Sequence, residues 1–533
     1  MKFITLLLLF ISCTCSAGTV SLQNLSEEEI IGQTLTVRID AGDQARYEKA
    51  VKAGLIGTVL IKGGLEGTQP PAQKRALTVK TIQDLRLWEK QSPHKIPLLI
   101  AFDYESGGVV SPLFLGMKRL PSNMLLGAAE NKKITRRAFS AAAQEIRSLD
   151  GQINFGPDLD VNTNPQNPVI GTRSFGAHPK NVQKMARQAV KGLQKNKVAA
   201  FAKHFPGHGD TKDDTHLSSA VMDLTLKDLK QHLLPFQAAI DAGVWGIMSS
   251  HVIYPALDKE HPATFSRKIL TDLLRNKMGF KGVIATDSLD MEGAKRQGGI
   301  GQAAAEAYAA GADMALIGKT LPDDVIKYVK SQYGKTLSAE RMRQSARRIL
   351  ELKEKTGLFD KKVKIERLDF DQTEQAAAEH GVTLAKGNIS PLPAGPVCFV
   401  LFTEPSLQHM LAALKVPFRQ AGHETRSVYL PVTPAKKDLK AAQRCAKNSK
   451  TLVLGSYQKY GQPDPAQQKL LQTLLEKYPN AIFLSLLSPY DLAFYPQAKT
   501  ALALYGPTPQ SLRAAAEILL GNLKPQGDLN RVL

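Results

Sequence analysis
A chain of 533 residues that is 43% hydrophobic and 22% charged has enough apolar material for two or three cored domains, which excludes wholesale disorder. Its 69 Lys+Arg against 49 Asp+Glu leave a net charge of +20. That field draws polyanions such as nucleic acid, anionic lipid or acidic wall polymers, and does not choose among them.

The chain opens with Met1-Lys2 and the apolar run Phe3–Ile11 (FITLLLLFI), too short to span a bilayer as a mature helix. Cys15-Ser16-Ala17 offers a small-x-small cleavage site, and Phe10-Ile11-Ser12-Cys13 is similar to a bacterial lipobox that would leave a lipidated Cys13. Export to the periplasm or cell envelope is expected. No later stretch reaches the ~18 apolar residues a membrane helix needs. Outside this segment stand Cys398 and Cys445, which can pair or remain two buried thiols; no C-x-x-C or zinc-finger spacing occurs.

Eight apolar or β-prone runs precede residue 320: Thr34–Ile39, Thr58–Ile61, Pro97–Asp103, Ile153–Pro157, Ala199–Phe205, Val244–His251, Gly282–Asp287 and Asp313–Gly318. Helical segments such as Arg136–Leu149 and Ala303–Ala312 lie between them. Eight such alternations in about 300 residues match a (β/α)8 TIM-type barrel, with a doubly wound open sheet as the alternative. The stretch Gly298-Gly299-Ile300-Gly301 lacks a phosphate-loop spacing and reads as an ordinary loop. Ser338–Lys355 is predicted to be the closing helix, and Gln372–Ala385 a further helix. Beyond Leu392–Pro396, the runs Val397–Phe402, Thr451–Leu454, Ala481–Leu487 and Ala501–Tyr505 predict a smaller α/β layered domain. The chain thus divides into a signal segment (1–17), a barrel (18–356), a linker and helix (357–391) and a C-terminal α/β domain (392–533).

Several runs end in a polar residue: Asp103, His204, His251 and Asp287. In a parallel barrel, strand C-termini share the face that holds the active site, so these residues are expected to converge. The densest cluster is Lys203–His216 (KHFPGHGDTKDDTH), with three His and three Asp. It admits a metal site, a loop of hydrogen-bonded polar groups, or acid/base work. Pro206 and Gly207 break any helix that would align His204 with His208, and no H-E-x-x-H pattern is present, so no metal or other cofactor is expected. Asp214 and His216 are one residue apart, a spacing that lets the carboxylate orient the imidazole as a proton donor. The Gly-rich lead-in would let this loop swing over the barrel mouth. Asp287, ending the seventh run, is placed to serve as the opposing carboxylate or as a helix N-cap.

Lys203–His216 resembles the signature of family 3 glycoside hydrolases of the β-N-acetylglucosaminidase type. So do Asp103-Tyr104-Glu105 with Gly107, Arg119-Leu120-Pro121, Ile153–Val161, Asn167–Gly176, Ser250–Asp258 and Gly279–Ala294. These run in order from about residue 30 to 355; the C-terminal 140 or so residues more weakly resemble the α/β sandwich of two-domain members. The resemblance implies that Asp287 is the nucleophile, that Asp214 and His216 form an Asp-His dyad with His216 as acid/base, and that Asp103, Arg173, Lys203 and His204 bind a terminal N-acetylglucosamine. Gly108 and Ser111 stand where the family often has arginines, which bears on the leaving group rather than the reaction. The expected function is a retaining exo-β-N-acetylglucosaminidase acting on peptidoglycan fragments as a monomer. Alternatives are a phosphorylase using the same site, or a non-catalytic envelope-binding protein. Nucleic-acid binding rests on charge alone and is not expected.

Overall fold
The computed structural model describes residues 22–63, 69–105, 115–214, 220–360 and 363–533. The signal segment with Cys13, together with Gly108, Ser111 and His216, lies outside them.

Eight strands close into a barrel: Leu35–Ile39, Thr58–Ile61, Leu99–Phe102, Ile153–Asn154, Ala199–Phe205, Gly246–Ser249, Val283–Ser288 and Met314–Leu316. Each pairs in parallel with its sequence neighbours, and the first pairs with the last. All eight arise from predicted runs, and the open-sheet alternative falls because the sheet closes. The strands are mostly shorter than the runs, since the apolar stretches continue past the last ladder bond into buried loops. Residues facing the barrel axis form a core of their own, including Leu99, Phe155, Phe201, Val283 and Met314, with Ile349 and Leu352 of the helix Ala339–Lys355 packed against it. That filling makes the interior a packed core rather than a channel. Ser338 caps this helix by accepting from Arg341 N–H, so the predicted closing helix forms with its start as expected.

Lys353 of the closing helix is fully buried, with Nζ donating to Gln33 Oε1 at 2.7 Å. Burial pulls its ammonium down to about 7, with Glu89 opposing. An unfolded lysine titrates near ~10.4, so between about 7 and 10.4 the unfolded chain holds a proton that the native chain lacks, and stability rises with pH across that window. Lys353→Met is therefore expected to raise Tm relative to the parent most at pH 7 and below. The gain should shrink toward pH 10; melting curves across that range check it, and a pH-independent difference rules it out.

Gly298 and Gly299 differ from the expected loop. They open the helix Gly299–Ala310, Gly298 as its N-cap, and Gly299 takes a φ of +72° that favours glycine.

The second unit is a six-stranded sheet ordered Thr383–Lys386, Thr500–Ala503, Ile482–Ser485, Thr451–Ser456, Val397–Phe402, Thr425–Leu430. Only the first of these pairs antiparallel. Four strands come from predicted runs. The predicted helix Gln372–Ala385 is instead Phe370–Gly381, followed by the strand Thr383–Lys386. Thr425–Leu430 was not anticipated, because it is a half-exposed edge strand of mixed polarity. Cys398 and Cys445 form a disulfide across 47 residues, which settles the open choice. A loop of that length contributes about 4 kcal/mol in the chain-entropy account.

The two units share contacts. Tyr490 accepts from Asn162 Nδ2 at 2.8 Å, Arg137 donates to Gln372 Oε1 at 2.9 Å, and Ala177 N donates to Val532 O at 2.9 Å. Among the described residues, no helix is long and apolar enough to cross a membrane.

Candidate active site
The C-terminal ends of the barrel strands bring together Asp103, His204 and Asp287, as expected, with His251 Nε2 3.1 Å from Ser288 O beside Asp287, and add Lys203 of the fifth strand and Arg173 from the turn Gly171–Arg173 after the fourth. Asp103 follows the third strand. Its Oδ1 lies 3.4 Å from Lys203 Nζ, and its Oδ2 3.0 Å from Lys62 Nζ at the end of the second strand. Burial works against its charge, but the two lysines bring its carboxyl down to about 2.

Beneath this pair lies Glu105, which sequence reasoning left without a role. It takes Arg173 Nε at 2.7 Å and Nη2 at 3.0 Å, and Lys203 Nζ at 2.5 Å. The bidentate geometry fixes the guanidinium plane. Although burial opposes the charge on Lys203, Glu105 and Asp103 push its ammonium up to about 12. Both cations are thus permanently charged within the protein.

His204 is oriented from below by Asp160. Nδ1 sits 2.7 Å from Asp160 Oδ2, while Asp160 also accepts the backbone N–H groups of His204 and His208. An oxygen that already accepts N–H donors sets the tautomer: Nδ1 carries the proton and Nε2 is left as acceptor. Burial, reinforced by Arg173, lowers the imidazole to about 4, so the ring is neutral near pH 7. Its Nε2 is 3.4 Å from Arg173 Nη2 and 3.9 Å from Asp287 Oδ2.

Asp287 is the penultimate residue of the seventh strand and accepts Ser288 N–H at 2.7 Å. Burial alone would raise its carboxyl, but His204, His251 and Lys203 outweigh it and hold the group below the usual range. It is an ionised carboxylate facing solvent with about a fifth of its side chain (22%). The N-cap reading fails, since the next turn, Glu292–Ala294, is preceded by Met291.

Asp158 is a third unforeseen carboxyl, after Glu105 and Asp160. Its Oδ1 accepts Asp160 N–H at 3.0 Å, and its Oδ2 is buried without a hydrogen bond, 3.7 Å from Arg173 Nε. Burial, followed by the neighbouring Asp160, pushes it up to about 8. Asp158, Asp160 and His204 lie close enough to share a cation. However, Asp160 is already occupied by three N–H donors, the His204 ring among them, so these two groups are committed to each other. The signal for both carboxyls was present in Asp158-Leu159-Asp160, which directly follows the fourth strand and its short extension.

The glycines before Asp214 act differently from the expectation of a swinging lead-in. A Cβ on Gly209 would lie 1.9 Å from Val161 O, and one on Gly207 2.8 Å from His232 Cβ. Residues 203–209 are buried, so Gly209 permits close packing against the loop after the fourth strand and Gly207 against the helix Leu226–Asp241. Asp214 is half-buried at the end of the described part of this segment. The predicted partner His216 lies outside the described residues.

The second domain also reaches the site. A Cβ on Gly171 would lie 3.5 Å from the Tyr460 ring, and the Tyr460 phenol, pushed up to about 12 mainly by burial, feels the charges of Arg173, Glu105, Asp158 and Asp214. Nothing in the sequence ties residue 460 to residue 173.

The pattern described as the glycosyl hydrolase family 3 N-terminal domain matches residues 26–352. A β-hexosaminidase of Nitrosomonas eutropha is 39% identical over 270 residues, covering 49% of this chain and 74% of that protein. The solved family 3 β-N-acetylglucosaminidase of a Paenibacillus species superposes with a TM-score of 0.83 at 29% identity, over 95% of this chain and 98% of the other. The β-N-acetylhexosaminidase of Beutenbergia cavernae aligns along 99% of its own length with 62% of this chain, at 27% identity and a TM-score of 0.56. A closed barrel with an acidic, cation-braced floor, matched by the family pattern over most of its length, places this chain in glycosyl hydrolase family 3 as a glycoside hydrolase.

Proposed function
We propose that the chain is an exported exo-β-N-acetylglucosaminidase that removes the terminal sugar from peptidoglycan fragments with retention of configuration. The observation that carries this reading is Asp287, an ionised carboxylate at the barrel mouth beside a floor of buried sugar-binding groups. Relatives named as β-hexosaminidases and β-N-acetylglucosaminidases support the sugar.

Glycoside cleavage passes through an oxocarbenium-like transition state. Asp287 attacks the anomeric carbon and forms a glycosyl ester as the leaving oxygen takes a proton from His216, oriented by Asp214. His216 then removes a proton from water, which attacks the same carbon and frees Asp287. Lys203 and Arg173 donate to sugar hydroxyls, Asp103 accepts from them, and neutral His204 offers Nε2 as a further acceptor. Glu105 and Asp160 hold these groups in place before the sugar arrives, so no reorganisation is left for the reaction itself. The disulfide Cys398–Cys445 supports an oxidising compartment, hence export, with a lipid anchor at Cys13 as part of the proposal.

The test uses 4-nitrophenyl N-acetyl-β-glucosaminide, its glucose analogue and a muropeptide disaccharide. The parent is expected to prefer the acetamido sugar. His216→Ala should still release a burst of nitrophenolate, which leaves without a proton, then turn over slowly because the water step lacks its base, and should lose roughly 10²–10⁴-fold on the disaccharide. Equal cleavage of both nitrophenyl sugars would overturn the acetamido preference. Accumulation of a sugar 1-phosphate in phosphate buffer would overturn water as the acceptor.

A further inference from the structure
The excess positive charge has a focus away from the barrel mouth. Between the helices Lys132–Ser148 and Pro179–Lys195 and the connecting segment around Glu366 lies a cavity of about 590 Å³. Five cations line it: Lys132, Lys133, Arg136, Arg137 and Lys195. Glu366 is the one carboxylate among the lining residues, and it is already engaged by Lys195 at 3.1 Å.

The other four cations meet no carboxylate among the described residues. Arg136 gives Nε and Nη2 to Gln188 Oε1 at 3.0 and 2.7 Å, and Arg137 gives Nη2 to Gln372 Oε1 at 2.9 Å. Amide oxygens hold these guanidinium groups in position without cancelling their charge. Lys132 and Lys133 occupy the first turn of their helix, where the backbone N–H groups already disfavour a cation. Four like charges gathered there repel one another and cost stability unless an anion joins them.

We propose that this cavity binds a flexible chain of phosphate groups, as in a phosphate-bearing polymer of the cell envelope. Two features select that class. The cations surround a concavity, which a linear chain can enter, whereas a flat bilayer would meet its rim alone. The lining contains no aromatic side chain on which a nucleic-acid base could stack.

The probe is fluorescently labelled short-chain inorganic polyphosphate, titrated into the full-length protein. Four phosphate contacts at a slope of roughly −0.7 each predict about a 50-fold loss of affinity when salt rises fourfold, from roughly 50 to 200 mM. Replacing Lys132, Lys133, Arg136 and Arg137 together with Gln should abolish most of that binding. Nitrophenyl glycoside hydrolysis should stay at the parent rate, since none of the four belongs to the barrel-mouth cluster. The double variant Lys132→Gln/Lys133→Gln breaks no side-chain hydrogen bond or ion pair among the described residues, and should retain about half the salt slope. A control with the same charge removed from the exposed residues Lys436, Lys437, Lys440 and Lys447 should bind like the parent.

If the control loses as much affinity as the quadruple variant, the effect is net charge and the site is overturned. Stronger binding to oligothymidylate of equal charge would also overturn it, in favour of a nucleic-acid site. So would binding to phosphatidylglycerol vesicles that depends on the four cations when polyphosphate binding does not. Matched binding of polyphosphate and oligothymidylate, both lost in the quadruple variant, supports a site that reads phosphate alone.

Discussion

Asp287→Asn is expected to fold like the parent and to turn over roughly 10⁴-fold more slowly or worse, the scale of losing a covalent nucleophile. Folding should survive because the side chain makes one local hydrogen bond, from Ser288 N–H, and an amide oxygen can accept it equally well. Turnover should not, because the amide neither attacks an anomeric carbon nor balances the positive charge that develops there. A second variant separates nucleophile from general electrostatic support. In Asp287→Ala, azide can enter the vacated space and attack the anomeric carbon from the same side. The aglycone still leaves with the acid's proton, and the product is an α-glycosyl azide. Rescue by azide with that configuration is the expected result. An Asp287→Asn enzyme within tenfold of the parent would remove Asp287 from the chemistry.

The second large effect concerns a residue that we place beneath the sugar rather than against it. Glu105→Gln keeps the shape of the side chain and removes its charge. Arg173 and Lys203 would then be two buried cations with one fewer carboxylate between them. Breaking such a buried pair costs about 3–5 kcal/mol, since the orphaned charges stay desolvated. Guanidinium unfolding curves should show that loss. Arg173 and Lys203 would also lose the anchor that aims them, and a displacement of ~1 Å at a positioned group is enough for about a 100-fold drop in kcat/KM. The decisive comparison is with Arg187→Gln, which breaks the exposed Arg187–Asp241 pair at 3.0 Å outside this cluster. It should cost far less stability and little activity. Equal stability of Glu105→Gln and the parent would mean that the network under the site is not holding it.

How much of this was legible in the sequence depends on whether the cause was local. The barrel strands were readable because each is a short apolar run bounded by helix, and Asp103, His204, His251 and Asp287 were readable because they fall at the ends of such runs, whereas Lys203 came only with the family resemblance. The edge strand Thr425–Leu430 was not, since all but its last residue are only partly buried or exposed and its apolar signal is diluted. Thr383–Lys386 was hidden because the helical pattern before it runs on past Gly381 without a clear stop. The same division holds in the site. Residues that would touch sugar sit in dense polar motifs, whereas Glu105 and Asp160 act through partners 68 and 44 positions away. Asp158 shows the limit most sharply: its raised carboxyl follows from burial beside Asp160, which no spacing announces. The disulfide was open for a related reason, since nothing along the chain brings residue 445 beside residue 398.

The tyrosines of the sandwich give the loop after the fourth strand two owners. Tyr490 holds Asn162, Asn162 Oδ1 holds Gly171 N–H at 3.2 Å, and the Tyr460 ring lies over the same glycine, two residues before Arg173. A graft of this barrel onto a foreign partner domain would therefore inherit Asp287 in place but set Arg173 on unfamiliar ground. Such chimeras should part company with the parent in how firmly they grip a saccharide well before they differ in what they do to it.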